Sequence, residues 1–203
     1  MKTALIFDTE TTGFPMRPGR SDHKDQPHIV QLAAELIQID TGRILSSMNF
    51  MCRPLGWVIP PATIHIHGID NFLANEHGIG ESHAVFTMLE MLRDDTLIVA
   101  HNAQFDKRII RIALKRFFND QDVNRFCDHE FYCTAQKSKP FCKLPPTAKM
   151  LASPRFRNSY KQPTLSEAYK HFTGKELVGA HNAMIDVEAC RTVFLALINQ
   201  PAE

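Results

Sequence analysis

Long apolar runs are missing from this chain of 203 residues. Their absence excludes a membrane-spanning helix, which needs about 20 consecutive apolar residues. The apolar stretch Thr3-Ala4-Leu5-Ile6-Phe7 stops at an acidic residue with no cleavage-like site behind it, so it reads as structure and not as a secretion signal. Cysteine is sparse and odd in number. Cys52, Cys127, Cys133, Cys142 and Cys190 fit no disulfide framework and point to reduced thiols in a cytoplasmic compartment. Cys127, His129, Cys133 and Cys142 lack the paired knuckles of structural zinc sites, which favours thiols over zinc. Net charge is nearly lacking too. Lysine plus arginine (23) against aspartate plus glutamate (22) leaves +1, which excludes a protein that grips a polyanion by bulk charge alone.

What is present is an ordinary globular composition, 44% hydrophobic and 22% charged, enough for one domain over residues 1–203 with a substantial core. The neutral total hides a segregation. Between residues 137 and 161 stand seven basic residues and no acid, leaving 16 basic against 22 acidic residues elsewhere. Within 137–163, five prolines and no clear period predict an ordered loop. Its charges mark either a solvated surface or one that faces phosphates.

Hydrophobic patterning predicts strands at 3–7, 29–39, 44–52, 96–100 and 126–133, with a turn at Asp40-Thr41-Gly42. Helices are predicted from Ser82 to Asp94, over 103–118 with Ile109, Ile110, Ala113, Leu114 and Phe117 inward, and over 183–198. The first three strands followed by strand–helix alternation predict a mixed five-stranded α/β sheet with helices on its faces.

Three acidic motifs punctuate these elements. The first strand runs into Asp8-Thr9-Glu10, and a period of two puts both carboxylates on one face if the extended backbone persists. Two anions side by side are tolerated most readily with a cation between them, and oxygen ligands suit magnesium or manganese. Ala100-His101-Asn102-Ala103-Gln104-Phe105-Asp106 opens one predicted helix, and Ala180-His181-Asn182-Ala183-Met184-Ile185-Asp186 opens the last. The pattern A-H-N-A-x-x-D recurs eighty residues apart, but the flanks do not match, which argues against internal duplication. Each aspartate taken alone fits a helix-end role better than a chemical one.

Together, F-D-T-E-T-T-G-F, A-H-N-A-Q-F-D and A-H-N-A-M-I-D resemble the motifs of the DEDDh (DnaQ-like) 3′-5′ exonucleases, a family that includes the exonuclease (epsilon) subunit of bacterial DNA polymerase III. IVQLAAELI and Ile66-His67-Gly68-Ile69 extend the resemblance from residue 3 to about 195. It implies an RNase H-like fold. It also implies two magnesium or manganese ions held by Asp8, Glu10, Asp106 and Asp186, with Asp8 bridging them and His181 as general base. His101 is the rival base. Thr11, Phe14, His67, Asn102 and Phe105 match substrate contacts of the family; phenylalanine at 14 departs from its usual leucine, and is either a stacking face or a core aromatic. The loop 15–26 is either plainly exposed or in touch with substrate.

The implied activity is hydrolysis of the last phosphodiester of single-stranded or frayed DNA, releasing nucleoside 5′-monophosphates. A 3′-5′ exoribonuclease is the nearest rival, since no residue clearly reads the 2′-hydroxyl. A catalytically silent nucleic-acid-binding or polymerase-anchoring module is disfavoured by the presence of all five polar residues. The sequence ends at Glu203 soon after the last predicted helix, and a polymerase partner is not argued by the residues.

Overall fold

The computed structural model describes residues 2–16 and 19–200. Strand β1 (Thr3–Thr11) lies at the centre of a five-stranded sheet. It pairs antiparallel with β2 (Ile29–Gln38), which pairs antiparallel with β3 (Ile44–Met51) across the anticipated turn. On its other side β1 runs parallel to β4 (Leu97–Ala100), and β4 parallel to β5 (Phe131–Cys133), giving the order β3-β2-β1-β4-β5.

β1 is apolar without alternation because both of its faces are covered. Leu5 and Phe7 point into a core shared with α3 (Glu81–Met91), α4 (Ala103–Phe117) and α5 (Asp120–Asp128). Ala4 and Ile6 point the other way, against Ala183, Val187, Cys190 and Phe194 of α9 (Ala183–Ile198). The central strand therefore touches both helical layers, and residue parity decides which layer each side chain meets. The parallel strands β1 and β4 end on the same edge, and α4 and α9 begin there, which is where open α/β sheets place their ligands.

Five corrections to the sequence reading follow. The stretch 126–133 is divided: the Asn119 side chain accepts hydrogen bonds from the N–H groups of Gln121 and Asp122, starting α5, and Val123 and Phe126 fill its buried face, so residues 126–128 are helical and only Phe131–Cys133 form the strand β5. The supposed loop 137–163 begins inside α6 (Thr134–Cys142), which tolerates Pro140 in its interior, and continues through the short α7 (Ala148–Leu151). Phe117 is 43% exposed at the end of α4. Residues that carried no element assignment form α1 (Pro61–His67) and α2 (Asn71–His77). Likewise α8 (Leu165–Thr173) opens on a capping box between Thr164 and Glu167. Within the loop 15–26, Arg17 and Pro18 lie outside the described residues. Among the described residues no helix is long and apolar enough to cross a membrane, and all five cysteines are free.

Candidate active site

Asp8 and Glu10 do share a face, the one turned toward α9, at the carboxyl end of β1. Thr9, with opposite parity, turns toward α4, and its hydroxyl donates to Asp106 Oδ1 at 2.8 Å. Asp106 and Asp186 both sit in the first turn of their helices, α4 and α9. A cleft of about 340 Å³ gathers all four carboxylates together with Thr11, Phe14, His67, Asn102, Phe105 and His181. Every site residue named from the sequence lines this one cleft.

Among the described residues no lysine or arginine lines it, and the electrostatics follow from that. Burial, with the charges of Asp106, Asp186 and Glu10, holds the Asp8 carboxyl well above the usual carboxylate range. Burial and the same two aspartates push Glu10 to about 7. Asp106 also reaches about 7 through burial, opposed by the Thr9 hydroxyl. Asp186 is raised by burial and eased back by the backbone N–H of His181, which donates to Oδ2 at 2.9 Å. Four crowded acids without a counter-charge are an arrangement suited to receive a cation. The other oxygen of Asp186, Oδ1, is buried and has no hydrogen-bond partner among the described residues. Ligand atoms of Glu10, His181 and Asp186 lie within 4.8 Å of one another, the only such group among the described residues. Cys127, His129, Cys133 and Cys142 form none. The hard oxygen donors fit magnesium or manganese.

The two histidines have different surroundings. His101 is held at both ring nitrogens, Nδ1 by the Thr134 hydroxyl at 2.9 Å and Nε2 by the Pro163 carbonyl at 3.1 Å. Its burial lowers its pKa to about 4, against the opposing pull of that carbonyl. His181 is exposed, with a left-handed backbone of φ 68° and a ring beside Glu10 and Asp186.

Phe14 is 88% exposed and meets Phe105 edge to face at 5.9 Å between centroids, so it is no core aromatic. His67 and Ile66 close α1, where Gly68 ends the helix in a left-handed conformation. His67 Nδ1 accepts from the Ile69 N–H, and burial beside His181 lowers its pKa. The Thr11 hydroxyl is engaged by the Gly13 carbonyl at 2.9 Å, and Asn102 takes a left-handed φ of 65°.

Two positioning residues escaped the sequence reading. Thr9 orients Asp106, and Gln31, opposite Glu10 in the sheet register, accepts from the Ala183 N–H at 3.1 Å and so fixes the start of α9. A polar residue inside the apolar run IVQLAAELI was the available signal for Gln31. Gly179 precedes the third motif with φ +81°, and a Cβ there would come within 2.6 Å of Ile185 Cδ1.

A family model described as exonuclease, of the RNase T type, matches residues 5–194. Ribonuclease T of Haemophilus influenzae is 26% identical over 209 residues, covering 96% of this chain and 79% of that protein. A PolC-type DNA polymerase III of Staphylococcus aureus is 25% identical over 99% of this chain, which spans only 12% of the polymerase. The fold superposes on Escherichia coli exonuclease I in complex with a dT13 oligonucleotide with a TM-score of 0.69 at 20% identity; 98% of this chain matches, but only 41% of that one.

Proposed function

The chain belongs to the exonuclease family as a 3′-5′ exonuclease of the DEDDh kind, and from that premise we propose that it removes nucleoside 5′-monophosphates one at a time from single-stranded or frayed DNA 3′ ends. Residues 1–203 act as one exonuclease domain, working in a reducing, cytoplasmic setting. The observation that carries the proposal is the convergence of four carboxylates, Glu10, Asp106 and Asp186 buried and Asp8 half-buried, with no cationic side chain among them in the described residues, beside an exposed histidine.

Two magnesium or manganese ions held by Asp8, Glu10, Asp106 and Asp186 would supply an activated water and charge stabilisation at the leaving 3′ oxygen. His181 takes the proton from the attacking water. Its ring nitrogens reach the Glu10–Asp186 side of the cleft, and the exposure of the residue lets the proton pass on to solvent. His101 cannot serve in this way while both of its nitrogens bond to protein. It ties the second motif to the segment around Pro163. Thr9 holds Asp106, and Gln31 holds the helix that carries Asp186.

Phe14 and Phe105 offer an aromatic corner on which the terminal base stacks, a contact available to any base. Ile66, 55% exposed, provides an apolar wall across the cleft. Thr11, His67 and Asn102 supply polar contacts to the terminal nucleotide. The basic segment 137–161 faces the phosphates of the strand. Five of its seven basic residues (Lys137, Lys143, Lys149, Arg155 and Arg157) are exposed, and Gln162, just beyond it, bonds to Asn102 at the cleft.

DNA is the first reading because the fold's likeness extends to an exonuclease I bound to a DNA oligonucleotide. RNA is the second, favoured by the similarity to Ribonuclease T over nearly the whole chain. Incubating the protein and magnesium with 5′-labelled DNA and RNA single strands and a mismatched primer-template tests both. A ladder shortening from the 3′ end with 5′-monophosphate release is expected on DNA. A ladder on RNA alone would replace the first reading with the second, and no ladder on any strand would overturn both.

A further inference from the structure

A concavity larger than the catalytic cleft lies outside it. It is a groove of about 680 Å³ between the exposed face of α4 and the loop Gly19–Asp22. Five basic side chains line it, Arg20, Lys107, Arg108, Arg111 and Lys115, against a single acid, Asp22. The helical residues follow the spacing i, i+1, i+4 and i+8, which stacks them along one side of the helix. From Lys107 to Arg116 the chain contains no acid, whereas an ordinary solvated helix face intersperses both signs.

Part of this charge is already matched. Arg20 pairs with Asp22 at 2.8 Å and Lys115 with Asp120. Arg116, on the inward side, belongs to buried Glu81. Lys107, Arg108 and Arg111 have no carboxylate partner among the described residues. Lys107 donates to the Cys127 carbonyl, and Arg108 to the Met16 and Gly19 carbonyls, contacts that aim these cations without neutralising them. Arg111 is exposed and has no hydrogen bond among the described residues.

The groove adjoins the catalytic cleft through two chain segments. After β1, Gly13 and Phe14 line the cleft while Gly19 to Asp22 line the groove. At the start of α4, Phe105 and Asp106 face the cleft while Gln104 and Lys107 face the groove. The Phe14–Phe105 pair is the partition between them. From Gln104 to Lys115 the helix advances roughly 16 Å, a reach of several nucleotides.

We infer that this groove is a phosphate track for the 5′-ward portion of the strand whose 3′ end occupies the catalytic cleft, a second basic surface distinct from segment 137–161. Built on the exonuclease reading, it adds a substrate-length dependence to it: strands long enough to pass the Phe14–Phe105 partition gain contacts that a short oligonucleotide cannot reach.

The test is the binding of fluorescein-labelled oligothymidylates of 3 and 12 nucleotides, followed by anisotropy in EDTA over a range of salt. The double variant Arg111→Gln/Lys115→Gln is compared with Lys2→Gln/Arg43→Gln, which removes the same charge at the opposite end of the sheet. The groove variant is expected to bind the 12-mer several-fold more weakly than the control does. Its plot of log affinity against log salt should be shallower by about 1.4, the contribution of two phosphate contacts on a single strand. The 3-mer should lose far less than the 12-mer. A 12-mer affinity and salt slope equal to the control's would overturn the track. Because binding is read without metal, a wild-type protein that binds strands in this way but never shortens them with magnesium would remove the exonuclease reading and leave the track standing.

Discussion

The two copies of A-H-N-A-x-x-D have the same letters and opposite structures. In the copy at residues 100–106, which leaves strand β4 directly, histidine is held by Thr134 and Pro163 and asparagine takes the left-handed backbone. In the copy at 180–186, which follows a loop, histidine takes the left-handed backbone and stays exposed. There Asn182 turns its side chain back to accept from the N–H groups of Met184 and Ile185, capping α9. The bend has moved by one residue, and the two middle residues have exchanged jobs. The aspartate is used alike, entering the cleft from a first helical turn in both, as is the second alanine, which opens each helix buried. A short motif thus specifies a carboxylate at a helix start, while the approaching chain decides which neighbour is scaffold and which is free for chemistry.

The shared member should be the most sensitive. Asp106→Asn and Asp186→Asn, like Asp8→Ala at the proposed bridging position, should each cut magnesium-dependent nucleotide release by about a thousandfold or more, beyond the 10–100-fold typical of an outer partner of a metal site. Near-normal turnover in either variant would break the equivalence of the two motifs. Next come the histidines. His181→Asn should lower kcat by roughly 10² to 10⁴ with little change in Tm. His101→Asn should instead cost about 1–3 kcal/mol of stability by orphaning its buried partners, read as a lowered Tm, with a smaller loss of turnover. The reverse ranking of the two turnovers would move the general base to His101.

Protonation separates the two copies more finely. Glu10 and Asp106, raised to about 7 in the fold, bind more protons folded than unfolded between roughly pH 4 and 7. Stability without metal should therefore fall as pH rises through that window. His101, depressed to about 4, binds fewer protons folded than unfolded between pH 4 and 6.5, and works in the opposite direction. In EDTA, Tm at pH 5 should exceed Tm at pH 7.5, magnesium should close the gap, and His101→Asn should widen it. A metal-free Tm that rises with pH would contradict the crowding of uncompensated acids. The smallest effects belong to the asparagines. Asn182→Ala should cost about 1 kcal/mol by losing a cap, a few degrees in Tm for a chain of this size. Asn102→Gly should be near neutral or stabilising in the same measurement, since glycine accepts the left-handed backbone.

Strands β1 to β4, helices α3, α4 and α9 and the acidic and histidine motifs of the cleft were legible because each rests on local pattern: continuous apolar runs, helical periodicity, and motifs at element ends. What was not legible depended on contacts distant in sequence. The cap at Asn119 and the inward turn of Val123 and Phe126 make α5 where an apolar stretch suggested a strand. Pro140 argued for loop but sits inside α6. The aim of Thr9 at Asp106 spans 97 residues, and that of Gln31 at α9 spans 152. The groove basic residues of α4 drew no reading from the sequence, because the loop that makes them a groove comes from elsewhere in the chain.

Gly179 gives the third motif a particular vulnerability. Its left-handed backbone, φ +81°, strains any L side chain, and a Cβ there would also displace the tip of Ile185, the residue immediately before Asp186. A substitution there would strain the turn that leads into the first turn of α9, while most of the core contacts of that helix, at Val187, Cys190 and Phe194, lie farther along it. The damage would be a displaced carboxylate inside an otherwise folded protein. Among chance variants of this chain, those at position 179 should fall in the class that is abundant, soluble and inactive, which a screen scoring expression or thermal stability alone would pass as harmless.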